Sequence, residues 1–154
     1  MRVIRSLLTF KLGVWVGMWA AAAFVKRAVP SRGDEGSDEV SLVAVFDGIG
    51  LESRATAFRG GSMLAWFGGI ELDLREAELA PGARLSVRTL FGGIEITTPP
   101  SWRIASNVKA LAGGVDARTP AQDDPEAPLL TIDGMAVFGG VAVAAKADEA
   151  TGGA

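Results

Sequence analysis

Three residue types are missing from this sequence, and each absence closes off chemistry. Its 154 residues include no Cys, no His and no Tyr. Without Cys there is neither a disulfide nor a thiolate metal site. Without His the commonest general base and the commonest neutral metal ligand are gone. Ser-His-Asp and Cys-His arrangements cannot be assembled from this inventory. Carboxylate chemistry remains open in principle, but no Asp or Glu pair stands in a motif that announces it. The glycines lie between strand-like runs and not ahead of a helix, so no phosphate cradle is expected. The chain therefore reads as a non-enzyme without cofactor or metal.

Charge of one sign is also missing locally. Residues 1–32 hold six Lys or Arg and no acid, while the remainder holds nine basic and eighteen acidic residues, for a net charge of −3. An acidic main domain argues against nucleic-acid binding, which needs a basic face for phosphates. A basic, apolar N-terminus points to a membrane.

Leu7 to Val25 is nineteen residues long with Lys11 as its one charge. As a helix it would span about 28 Å, near the thickness of a hydrocarbon core. Arg2 and Arg5 flank one end, and Lys26 and Arg27 the other. The expectation is a single-pass anchor over residues 1–29 in a bacterial cell membrane. A cleaved signal peptide ending near the Ala20–Ala23 tract and a helix lying at the interface are the alternatives. Basic residues on both flanks barely orient it; the main domain is placed on the cytoplasmic side by a narrow margin. Residues 30–40 read as an acidic linker and 146–154 as a disordered tail.

What the chain has in abundance is glycine, 20 residues of it, and much of it in one repeated place. An apolar pair precedes two glycines, or Asp-Gly, five times: Val45-Phe46-Asp47-Gly48-Ile49, Trp66-Phe67-Gly68-Gly69-Ile70, Leu90-Phe91-Gly92-Gly93-Ile94, Leu111-Ala112-Gly113-Gly114-Val115 and Val137-Phe138-Gly139-Gly140-Val141. The closing Ile or Val positions are 21, 24, 21 and 26 residues apart. Self-similarity at such a period marks stacked architectures, whose units bury apolar faces against their neighbours.

Apolar residues alternate before each glycine pair, as in Leu42, Ala44, Phe46 and in Leu85, Val87, Phe91 around Thr89. They resume on the other parity behind it, as in Ile70, Leu72, Leu74. Period two means strands. A change of parity would turn the apolar set outward unless a corner intervenes. Gly48, Gly68, Gly69, Gly92, Gly93, Gly113, Gly114, Gly139 and Gly140 are expected to supply that corner, since glycine takes positive φ and has no Cβ to clash. The residues 41–145 are thus expected to form an all-β domain, a β-solenoid or β-roll of about five two-strand units. Its interior would hold a Phe column of Phe46, Phe67, Phe91 and Phe138, interrupted by Ala112. A two-sheet sandwich of hairpins is the alternative.

A second apolar column, Val45, Trp66, Leu90, Leu111 and Val137, would then point outward. Either a twist of the corner or another part of the chain covers it, or it is an interface, with Trp66 as anchor. Glu71, Asp73, Glu76 and Glu78 cluster after the second motif and Glu95 repeats the place of Glu71, but the calcium-binding Gly-Gly-x-Gly-x-Asp pattern is absent; a solvated outer face is the reading.

The runs Phe67-Gly-Gly-Ile-Glu-Leu-Asp-Leu-Arg-Glu-Ala-Glu-Leu and Phe91-Gly-Gly-Ile-Glu-Ile-Thr-Thr-Pro-Pro-Ser-Trp-Arg-Ile, continued by Ala112-Gly-Gly-Val-Asp and Phe138-Gly-Gly-Val-Ala-Val, carry a resemblance. Together they resemble the C-terminal domain of LiaF-type proteins, the bacterial cell wall-active antibiotic response family. The resemblance covers roughly Phe46 to Val143. It implies a membrane-associated, non-enzymatic regulatory module of cell-envelope stress sensing, whose partner is a membrane protein such as a sensor kinase. The rival expectation is a self-assembling β-helical scaffold resembling the bactofilins, because stacked strands with open ends can pair end to end.

Overall fold

The computed structural model describes residues 32–147, and no helix occurs among them. The expected helix over 1–29 and most of the expected tail lie outside the described residues. Ten strands follow one another: β1 Glu39–Val45, β2 Gly48–Glu52, β3 Phe58–Trp66, β4 Gly69–Asp73, β5 Leu79–Thr89, β6 Gly93–Thr98, β7 Arg103–Ala110, β8 Gly113–Ala117, β9 Leu129–Ala136 and β10 Gly139–Ala145. Ahead of β1, Asp34 to Ser37 make a turn in which the Ser37 hydroxyl donates to Asp34 Oδ1 at 2.9 Å.

The strands form two parallel five-stranded sheets and no closed barrel. Odd-numbered strands make the first sheet, in the order β1-β3-β5-β9-β7, and even-numbered strands the second, in the order β2-β4-β6-β10-β8. Each unit therefore contributes one strand to each sheet. The fifth unit in sequence sits between the third and the fourth, so the fourth stands at an open edge. Its strands β7 and β8 pair only with β9 and β10.

Alternation explains which side chains lie between the sheets. Leu42, Met63, Leu85, Ile132 and Ile104 come from the first sheet, and Ile70, Leu72, Ile94, Ile96 and Val141 from the second; all are buried in one cluster with Phe58. These are branched or aliphatic residues that suit a pleated, packed surface.

The edge strand β7 is protected at one point. The Gln122 side-chain amide accepts from the Ile104 N–H at 3.3 Å and donates to the Ile104 carbonyl at 2.8 Å. It thereby acts as a one-residue strand, held out by the loop that joins β8 to β9. Further along β7, Ser106 and Ala110 face the interior by parity yet are exposed. Among the described residues no further strand covers this end of the stack.

Candidate functional site

The Phe column is on the outside. Phe46, Phe91 and Phe138 are 41%, 40% and 60% exposed, and Phe67 is half-buried. The rings stack face to face along the domain, with centroid distances of 5.0 Å for Phe46–Phe67, 4.7 Å for Phe67–Phe91 and 5.1 Å for Phe91–Phe138. For three of the four rings the expectation of an interior column fails for a backbone reason; Phe91 joins the line without it. Phe46, Phe67 and Phe138 have φ of 53°, 56° and 51°. A left-handed residue at the corner swings its Cβ away from the interior that Leu42 and Ala44 face. Ala112 does not interrupt the stack either. The fourth unit lies outside the fifth, so Ala112 falls beyond Phe138 at the end of the column and the four rings run unbroken.

The positive φ thus belongs mostly to Phe, and the following glycine has another task. A Cβ on Gly68 would lie 2.1 Å from the Asp47 carbonyl oxygen, on Gly92 1.9 Å from that of Gly68, on Gly139 2.0 Å from that of Gly92, and on Gly113 1.7 Å from that of Gly139. Only glycine permits this approach of one corner to the next. Among the described residues no corner precedes that of the first unit, where Asp47 takes the place of the first glycine. Gly48, Gly69, Gly93, Gly114 and Gly140 lie on the strands that follow the corner.

Val45, Trp66, Leu90, Val137 and Leu111 do form one column at the end of the first sheet. Val45 pairs with Trp66 in register, and the Leu90, Val137 and Leu111 amides donate to the carbonyls of Ala65, Thr89 and Ala136 on adjacent strands. Val45 is 5% exposed and Leu111 72%, with the other three between. Trp66 lies 6.5 Å from Phe67, centroid to centroid, and its buried Nε1 has no hydrogen-bond partner.

Charge divides between the two faces. The strands of the second sheet carry Glu52, Glu71, Asp73, Glu95 and Asp116 and no Lys or Arg. Those of the first carry Arg59, Arg84, Arg88, Arg103 and Lys109 against Glu39 and Asp133. Whole-domain net charge concealed this division; strand parity is the signal that reveals it. At the end of β4, Arg75 Nε and Nη2 donate to the Asp73 carboxylate at 2.9 and 2.6 Å. These bonds hold the Asp73 carboxyl below its ordinary pKa, despite partial burial that pushes the other way. Among the described residues, no three His, Cys, Asp or Glu converge as a metal site.

No family model matches the chain, and no curated protein or solved structure gives a match.

Proposed function

We propose that this protein is a membrane-anchored, non-enzymatic binding and regulatory module of the bacterial cell envelope, built as a β-solenoid, as its resemblance to LiaF-type proteins implies. The observation that carries this reading is the exposed Phe stack. The rings run in one line, Phe91 and Phe138 are 40% and 60% exposed, and three of the four occupy a backbone region that bulky residues avoid. Strain of that kind persists where the surrounding structure enforces it, and it concentrates at working surfaces. Aromatic side chains on a rigid frame are good anchors for a protein partner. Regulation then needs no chemistry: the module holds a membrane protein, such as a sensor kinase, in one state and releases it when the envelope is stressed.

The face of the first sheet supports apposition to a membrane. Its five cations accompany the exposed Leu111 and Met135, a combination that suits an anionic cytoplasmic leaflet. A C-terminal reporter tests the side, and a photo-crosslinking residue at Phe91 tests the partner in cells. A discrete membrane-protein adduct is expected; a reporter on the outer side or the absence of any adduct contradicts the reading. Trp66→Asp is expected to reduce association more than folding. A variant that fails to fold makes the column core and not interface.

The β7–β8 end, uncovered among the described residues, favours a second reading, a self-assembling scaffold, because unpaired parallel edges polymerise unless capped. Light scattering of the full chain in detergent against concentration separates the two. Filaments support the scaffold, and a mass independent of concentration removes it.

A further inference from the structure

In four of the five units the second glycine has no packing reason to be glycine. A Cβ on Gly48 or Gly114 would meet nothing within 4 Å, and one on Gly69 or Gly93 nothing nearer than 3.8 or 3.9 Å. On Gly140 the nearest atom would be 3.3 Å away, against 2.0 Å at its neighbour Gly139. None of the five has positive φ. Glycine at the start of a strand costs backbone entropy, and where neither packing nor positive φ requires it, it leaves room for a ligand or another backbone to approach. Here all five units carry it.

These five glycines stand in register, Gly48 to Gly69 to Gly93 to Gly140 to Gly114, on the outer face of the second sheet. They floor a shallow trough of about 770 Å³ that crosses every strand. The next outward row along the strands is Gly50, Glu71, Glu95, Ala142 and Asp116, also in register. One wall of the trough is therefore acidic. Lys146 Nζ lies 3.9 Å from Glu95, an exposed pair that offsets part of this charge and leaves Glu71 and Asp116 to act outward.

We infer that this trough binds an extended, Lys- or Arg-bearing peptide segment of a partner protein. Five strands about 4.8 Å apart give a floor of about 19 Å, the length of about six extended residues. The missing side chains let a backbone and small apolar residues lie on the sheet, and the carboxylate row meets cations at one edge. Neutral or anionic polymers and an anionic lipid surface find no complement there. The trough is two outward rows wide, which fits one chain and not the face of a second sheet. This assignment rests on the binding-module reading and names its partner's chemistry.

The test uses the full chain in zwitterionic nanodiscs and a fluorescein-labelled eight-residue peptide of alternating Lys and Val, followed by anisotropy. The Lys–Val peptide is expected to bind and a Glu–Val peptide to fail. Gly93→Val fills the floor at a position where a Cβ would meet nothing nearer than 3.9 Å. It is expected to weaken binding at least tenfold with the unfolding midpoint unchanged or raised; Gly114→Val at the open edge is the second variant should the first misfold. Glu71→Gln is expected to weaken binding severalfold and flatten its salt dependence. Equal affinity for both peptides, or full affinity in a folded trough-filled variant, overturns the inference, as does self-association of the chain that the peptide competes away. A cellular adduct at Phe91 that survives Gly93→Val refutes the trough and leaves the regulatory reading standing. Loss of every adduct with peptide binding intact does the reverse.

Discussion

Replacing Phe67 by glycine should leave a more stable protein than replacing it by alanine, against the usual order in a strand. Both substitutions remove the stacking with Phe46 at 5.0 Å, with Phe91 at 4.7 Å and with Trp66 at 6.5 Å. At about 0.5–1.5 kcal/mol for each pair, that loss is about 1.5–4.5 kcal/mol in either variant. Phe67 has φ of 56°, where an L-residue with a Cβ is disfavoured by about 1–2 kcal/mol. Alanine keeps that penalty and glycine removes it. Glycine loses about 0.5–1 kcal/mol more backbone entropy on folding, so the net advantage is about 0.5–1 kcal/mol. In urea this separates the two midpoints by a few tenths of a molar, about what m-values for small domains convert it to. Phe91 supplies the internal control: it stacks in the same column, but it is not among the residues with positive φ. There alanine should be the more stable of the two. The same order at both positions refutes the left-handed strain assigned to Phe67.

Two further outcomes follow from packing and charge. Ile132→Ala, at a fully buried position on the strand between β5 and β7, should cost about 2–5 kcal/mol by urea unfolding, because rigid neighbours cannot close the space. Asp73 carries a depressed pKa in the folded state, so its bond to Arg75 contributes stability that is present at neutral pH, above the unfolded value of about 4, and is lost as pH falls through the lower folded value. Asp73→Asn should therefore lose less stability than the parent chain between about pH 5 and pH 3, and equal slopes would show that the pair contributes nothing.

The strands and their grouping were legible because period-two alternation and a repeated corner motif need no tertiary information. The side of the Phe column was not. Counting by twos places Phe46 with Leu42 and Ala44, and nothing in the local sequence says that a Phe takes a conformation normally left to glycine. Unit order was hidden for a different reason. Five similar motifs pair equally well on paper, and β9 reaches its place between β5 and β7 only through the loop from Arg118 to Pro128. The two exceptions to the motif are legible in retrospect. Asp47 sits where no corner precedes it among the described residues, and Ala112 where the ring column has ended. The opposite charges of the two faces needed only strand parity, but whole-domain counting averaged them away.

Adjacent glycines do different work in this fold, the first fixed by its neighbour's backbone and the second, Gly140 apart, free of it. Urea unfolding of Gly92→Ala beside Gly93→Ala separates the two roles. A Cβ on Gly92 would lie 1.9 Å from the Gly68 carbonyl oxygen, and one on Gly93 no nearer than 3.9 Å to any atom. Gly92→Ala is expected to cost at least about 3 kcal/mol, while Gly93→Ala is expected to be neutral or to stabilise by up to about 1 kcal/mol. Equal losses at the two positions would show that the two glycines do the same work.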